Sequence, residues 1–356
     1  MLLVVNAGSS SIKLAVFDAG LGLVLAGSVT EIGGAGRLTV GGVAQDCAAV
    51  DHRAALALAF EAMAAQGVAV ADLTAAAHRV VHGGAAFRQP ARVTAAVIAG
   101  IEACVPLAPL HNPGNLTAIR ALLALAPDLP QFVSFDTAFH ASNPEVAVSY
   151  ALPASARAQG LRRYGFHGIS FGGVVRSLSE RGTLPQRLLA LHLGNGASLC
   201  ALRDGVSVAT TMGYSPLDGL TMGTRTGGID GNAVLRLAEL HGIAGASQIL
   251  NRESGLLGLG GHSDMRALHA AGTPEAAFAV DHFCYWAVRH AGSMIAAMGG
   301  LDGIAFTGGI GENDAEVRGR IVAGLAWAGA VPVHIVPAEE ERSIAAEALA
   351  LLRAGT

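Results

Sequence analysis

Two arginines, one aspartate, two histidines and two turns rich in glycine and serine carry the chemistry open to this sequence. Arg79, in "AHRVVHGG", and Arg225, in "GTRTG", are flanked by apolar residues and glycines, which is not how a solvated surface cation is placed. A carboxylate substrate needs a cation, and phosphoryl transfer needs positive charge on its equatorial oxygens. The competing reading of each arginine is a structural ion pair. Asp136 follows a strand expected at Gln131–Phe135, at the carboxyl edge of a sheet, where ligand clefts form. His111 and His167 lie in loops bordered by Gly or Pro. A lone histidine is more often structural than functional, and without HExxH-type spacing a zinc site has no support. The stretch "VVNAGSSSIKLAVFD" runs strand, turn, lysine, strand. It has no GKS or GKT and does not open a helix, unlike a Walker loop. A hairpin turn of glycine and serine can still direct N–H groups and hydroxyls at phosphate oxygens.

These residues need elements to hold them. Strands are expected at 2–6 and 12–18, a helix at 52–66, a strand within 72–82, and a helix from Asn115 to Leu125 after an "HNPG" turn. A further helix is expected at 170–181. A second start then follows: "RLLALHLGNGASLCALRDG" (187–205) is again strand, Gly-rich turn, strand. Helices are expected at 231–241, 275–297, 314–328 and from about 339, with a strand at 303–307. Two units led by the same motif predict duplicated α/β domains facing one another, with two phosphate turns gripping one polyphosphate in the cleft. The competing reading is two chance hairpins in a glycine-rich chain.

Composition narrows the classes. The chain has 356 residues, room for two domains. It is 52% hydrophobic with mean hydropathy +0.47, but no stretch reaches about 18 apolar residues without a charge or glycine break, so no membrane partner is expected. Lys+Arg 23 against Asp+Glu 27, with no basic run, gives nucleic-acid binding no support. No signal peptide is read at the N-terminus. The four cysteines (Cys47, Cys104, Cys200, Cys284) show no CxxC spacing and are expected as buried, reduced thiols of a cytoplasmic protein. The 47 glycines point to backbone-mediated contacts with a ligand.

Eight motifs then occur in order: "NAGSSSIK" (6–13), "HRVVHGG" (78–84), "LAPLHNP" (107–113), "FDTAFH" (135–140), "YGFHG" (164–168), "HLGNGAS" (192–198), "GTRTG" (223–227) and "GGIGEN" (308–313). Together they resemble the acetate kinases, short-chain acyl phosphotransferases of the sugar kinase/Hsp70/actin superfold, from residue 4 to about 345. The resemblance implies two duplicated actin-like, ribonuclease H-like domains with an active-site cleft between them, divided as 1–140 plus 341–356 and 141–340. It implies Mg²⁺, with Mn²⁺ as the alternative ion, and ATP/ADP as co-substrate.

Carried over by motif, Arg79 holds the acyl carboxylate, Arg225 and His167 stabilise the transferring phosphoryl, and His111 supports them. Asp136 orients Arg79 or a metal-bound water more than it acts as a base, because the acceptor is already a carboxylate at neutral pH. Asn6, by itself a turn former, becomes a ligand of metal-bound water. Glu340 becomes the distal metal carboxylate, with its register open among Glu339, Glu340 and Glu341. Ser9, Ser11 and Lys13 lie beside the phosphoryl. His192, Leu193, Gly194, Asn195 and Gly196 form the second phosphate turn. Asp264, Met265 and Arg266, with Gly309, Ile310, Gly311, Glu312 and Asn313, match the adenosine side. Val81, Leu110, Phe166 and Pro216 close around the acyl methyl.

Gly228 and Gly231 depart from the family's usual Asp and Pro, which leaves Arg225 with no neighbouring carboxylate in the sequence. The expected function is reversible, direct in-line phosphoryl transfer from ATP to acetate, with domain closure excluding water. Propionate or butyrate kinase is the alternative within the class. An ATPase of the same superfold that makes no acyl phosphate is the alternative outside it. The family's homodimer implies an interface, for which the apolar stretch 278–298 is a candidate.

Overall fold

The structure, a computed structural model, describes residues 1–355. It contains two compact units, Met1–Phe139 with the stretch from Glu339 onward, and His140–Ala338.

In the first unit, alternating and near-continuous apolar runs form eight strands: β1 Leu2–Ala7, β2 Ile12–Phe17, β3 Leu23–Thr30, β4 Gly36–Val40, β5 Val43–Cys47, β6 Ala75–Val80, β7 Ala91–Arg92 and β8 Gln131–Phe135. Their order is β5-β4-β3-β2-β1-β6-β8-β7. β1 pairs antiparallel with β2 and parallel with β6, and β6 pairs parallel with β8. Leu3, Val5 and Ala7 of β1 pack on one face with Ala55, Leu56 and Ala59 of the helix His52–Ala65 and Ala118 and Leu122 of the helix Asn112–Leu125. The helix Glu340–Ala354 packs on β1, β6 and β8. Its first turn reaches Arg79, so it covers the opposite face.

The second unit has five strands: β9 Arg187–Leu193, β10 Ala197–Arg203, β11 Val206–Thr210, β12 Gly303–Thr307 and β13 Val333–Ile335, in the order β11-β10-β9-β12-β13. β9 and β10 are antiparallel, while β9, β12 and β13 run parallel. This is the same wiring as β3-β2-β1-β6-β8, and it decides for duplication against chance. Each leading hairpin closes on its own backbone, Gly8 N–H donating to the Ser11 carbonyl three residues on at 2.8 Å and Gly194 N–H to the Gly196 carbonyl two residues on at 3.0 Å. Asp204 and Gly205 join β10 to β11 with φ of 53° and 76°, the type I′ geometry that suits strand twist.

Several boundaries differ from the sequence reading. "HNPG" is not a turn before a helix but the helix's first turn, because proline's missing N–H costs nothing there. The helix expected at 231–241 runs on as Gly231–Gln248, broken at Gly242 with φ 71°. The one expected at 314–328 stops at Gly324 and continues as a 3₁₀ turn, Ala326–Ala328. "GGIGEN" is itself a short helix, Gly308–Asn313. Cys47 is half-buried, the other three cysteines buried, and all four are free thiols. No helix among the described residues is long and apolar enough to cross a membrane.

Candidate active site

The first unit gathers its functional residues at the carboxyl ends of β1, β6 and β8. Asn6 pairs with Lys13, and Arg79 with Ser134. Val5 pairs with His78, which puts Asn6 beside Arg79 on the neighbouring strand. Paired residues point to the same face, so Lys13, Asn6, Arg79 and Ser134 form a row, and Asp136, two residues after Ser134, joins it. Arg79 donates from Nε to Asp136 Oδ1 at 3.0 Å and from Nη2 to Oδ2 at 2.7 Å, a bidentate fork. Its Nη1 lies 3.6 Å from Glu340 Oε2. Burial opposes the guanidinium charge, but Asp136 and then Glu340 outweigh it and hold Arg79 above its ordinary range. Burial pushes the Asp136 carboxyl up, and Arg79 pulls against it, with His111 close enough to pull the same way. Of the three adjacent glutamates, Glu340 comes within ion-pair distance of Arg79, Glu341 acts on it from farther off, and Glu339 pairs with Arg342 at 3.3 Å.

The adjoining loops are locked by two asparagines the sequence reading passed over. Asn115 accepts from Val81 N–H and donates to the Ala7 carbonyl at 2.7 Å. Asn112 accepts from His82 N–H and donates to its carbonyl. A Cβ on Gly114 would stand 2.8 Å from the Gly8 carbonyl oxygen, so that glycine lets the helix start touch the first turn. The signal was present in "HNPGN", whose asparagines at a spacing of three share one face of a helix. Val81 is buried here, Ser11 half-buried, and Ser9, Lys13, Leu110 and His111 exposed.

In the second unit, Arg225 and His167 converge on the second turn. A Cβ on Gly196 would lie 2.8 Å from Arg225 Nη2 and 3.1 Å from His167 Nε2. Arg225 donates to the Pro216 carbonyl at 2.6 Å, and no carboxylate among the described residues lies within ion-pair distance of it. Burial therefore lowers its pKa unopposed. Such a cation gains from an anionic ligand. Gly228 donates its N–H to the Gly219 carbonyl, and Gly231 opens a helix capped by Asp230, so neither departure supplies a counter-charge. His167 has φ 58° at the N-terminal cap of the helix Gly168–Glu180. A left-handed non-glycine residue of this kind marks sites where structure is held against its preference. Phe166, just before it, is buried.

A cavity of about 970 Å³ opens beside this turn. It is lined by Gly194, Asn195, Asp264, Met265, Gly309 and Asn313 among others, including Arg266 and Ile310. Eight residues expected to meet a nucleotide are thus brought together, in a volume that suits a drug-sized ligand. His269, paired with Asp314 at 2.8 Å, lines it as well and was missed, because that contact joins distant segments. Glu312 is placed differently: its carboxylate accepts from Ala338 N–H at 2.9 Å. Asp264 caps its own helix and grips Arg266. Gly311 and Leu193 are buried beneath the turn.

Known proteins share the sequence family and the fold. Residues 1–345 match the Acetokinase family. The acetate kinase of Nitrobacter hamburgensis is 43% identical, over 99% of this chain and 96% of that one. The crystal structure of Porphyromonas gingivalis acetate kinase superposes with TM-score 0.92 at 33% identity, covering 99% of each chain. A propionate kinase from Francisella tularensis superposes with TM-score 0.92 at 32% identity, covering 97% of this chain and 98% of that one.

Proposed function

The chain belongs to the Acetokinase family, and on that premise we propose that its first unit holds acetate while its second holds ATP, for direct in-line transfer. The activity is that of an acetate kinase, a phosphotransferase with a carboxyl group as acceptor. The observation that carries the assignment of parts is Arg225, a half-buried cation with no carboxylate, aimed with His167 at a glycine of the phosphate turn.

Arg79 holds the acceptor carboxylate, and Asp136 holds the Arg79 fork in plane. A carboxylate oxygen forms the new bond to the γ-phosphorus. The bond to the β,γ-bridging oxygen breaks, and ADP leaves with that electron pair. The acceptor has no proton to give up at neutral pH, so no general base is required. Arg225 and His167 meet the charge on the equatorial oxygens, where fixed donors act most strongly. Asn195 and the Gly196 N–H receive the phosphate chain, the Gly194 N–H being engaged within the turn, and the cavity of about 970 Å³ takes the nucleoside. Val81 and Leu110, in the same unit as Arg79, are the apolar residues we assign to the acyl methyl.

The donor chemistry of Asn6 and Glu340 fits Mg²⁺. Both offer hard oxygens, and that ion keeps several waters and needs only one or two protein ligands besides phosphates. No cluster of three His, Cys, Asp or Glu that could cage an ion occurs among the described residues. When bound, Mg²⁺ neutralises phosphate charge. The protein is taken to be a cytoplasmic homodimer. Phe278 and Tyr285, both exposed on the helix Pro274–Met298, support that helix as an interface element.

A hydroxamate assay with acetate and ATP tests the activity. Acetyl hydroxamate is expected, and ATP turnover without it would mean an ATPase of another kind. Across C2–C4 acids, kcat/KM is expected to peak at acetate, with propionate slower. One methylene is worth only about 1–3 kcal/mol, and a tenfold preference for butyrate would overturn the order. Gly196→Ala should lower kcat about a hundredfold, because its methyl displaces Arg225 and His167. Gly196 is not in the left-handed region, so the thermal midpoint is expected to hold, and an unchanged kcat would detach this turn from the chemistry.

A further inference from the structure

We propose that Ser198 and Ser170 are positioning residues that fix the tautomers of two stacked histidines, so that His167 and His192 both present Nε2–H toward the phosphate turn. The inference deepens the kinase reading and rests on it.

The imidazoles of His167 and His192 stack with centroids 4.2 Å apart and planes 29° from parallel. Each Nδ1 meets a serine hydroxyl: His167 that of Ser198 at 2.9 Å, and His192 that of Ser170 at 2.8 Å. The bonds cross between elements. Ser198 on β10 holds the residue that caps the helix Gly168–Glu180, and Ser170 in that helix's first turn holds a residue of β9. Ser198 and His192 are themselves paired across the β9–β10 ladder. Every bond of the network therefore ties the helix start to the hairpin that carries the turn.

The direction of these hydrogen bonds follows from burial. Ser198 is fully buried and Ser170 nearly so, and among the described residues neither hydroxyl has another partner. A serine that accepted from Nδ1–H would leave its own proton unpaired in the interior, which is costly. Donation into Nδ1 satisfies the hydroxyl and places the ring proton on Nε2. The Nε2 atoms are the ones facing the turn: that of His167 lies 3.1 Å from a Cβ position on Gly196, and that of His192 lies 3.9 Å from one on Gly194. The result is two neutral donors directed at phosphoryl oxygens. Two stacked cations at this spacing would repel one another.

The test is ¹⁵N NMR of the full, unliganded chain labelled at histidine, with rates measured in parallel. His167 and His192 are expected to show pyridine-type Nδ1 and pyrrole-type Nε2. Ser198→Ala should give His167 mixed tautomers and lower kcat about tenfold, with KM for ATP nearly unchanged. Ser198→Thr should restore both signals and rate. Pyrrole-type Nδ1 in the wild type would overturn the proposal, as would unchanged spectra or unchanged kcat in Ser198→Ala. If that variant does not fold, the wild-type and Ser198→Thr spectra decide. Because the tautomers are read without substrate, a wild type that makes no hydroxamate would sink the kinase reading separately.

Discussion

Replacing Arg79 with alanine is expected to lower kcat/KM for acetate by about a thousandfold or more, roughly 4 kcal/mol of transition-state stabilisation. Two losses add. The acceptor loses its cation, and Asp136 and Glu340 are left as facing carboxylates, one of them buried, with nothing between them. Removing one member of such a hydrogen-bonded pair costs more than the pair itself is worth. Arg79→Lys separates the two effects. A lysine restores a charge but not the two-pronged geometry that meets Asp136 at 2.7 and 3.0 Å. It should recover part of the stability while KM for acetate stays high. Steady-state kinetics over an acetate series, with a thermal melt of each variant, reads both. Near-normal kcat/KM in Arg79→Ala would remove the carboxylate clamp from the mechanism.

The second large effect is on pH stability. His78, His82 and His140 are almost completely buried, and burial lowers each from 6.5 to about 4. The unfolded chain binds their protons near 6.5 and the folded chain only near 4. Between those values the unfolded state carries more protons, so stability is whole above pH 6.5 and falls as pH drops toward 4. Each histidine accounts for about 3 kcal/mol by pH 4, and the three together rival the whole stability of an ordinary domain. Asp136, raised by burial, acts with the opposite sign but is one group against three. Urea melts from pH 7.5 to 4.5 should show a steep decline in midpoint, and a flat profile would show that these rings ionise freely in the fold. His78→Gln, which keeps a polar partner for Gln131, should make the decline shallower.

Much of this protein was legible in its residue order. The leading hairpins, the strand before Asp136 and the two arginines among apolar neighbours were all readable, because period, turn chemistry and the setting of a charge are local properties. So was the absence of a carboxylate in sequence beside Arg225. What the chain order could not supply was register and face. That Lys13, Asn6, Arg79 and Asp136 share one row depends on how β1, β2, β6 and β8 pair, and a slip of one residue would turn that row to the other face. The choice of Glu340 among three adjacent glutamates depends on where a helix more than two hundred residues away in sequence docks on that sheet. Asn112, Asn115, Ser170 and Ser198 were unremarkable as letters. Each acquires its work only when folding removes water and makes every buried polar atom find a partner.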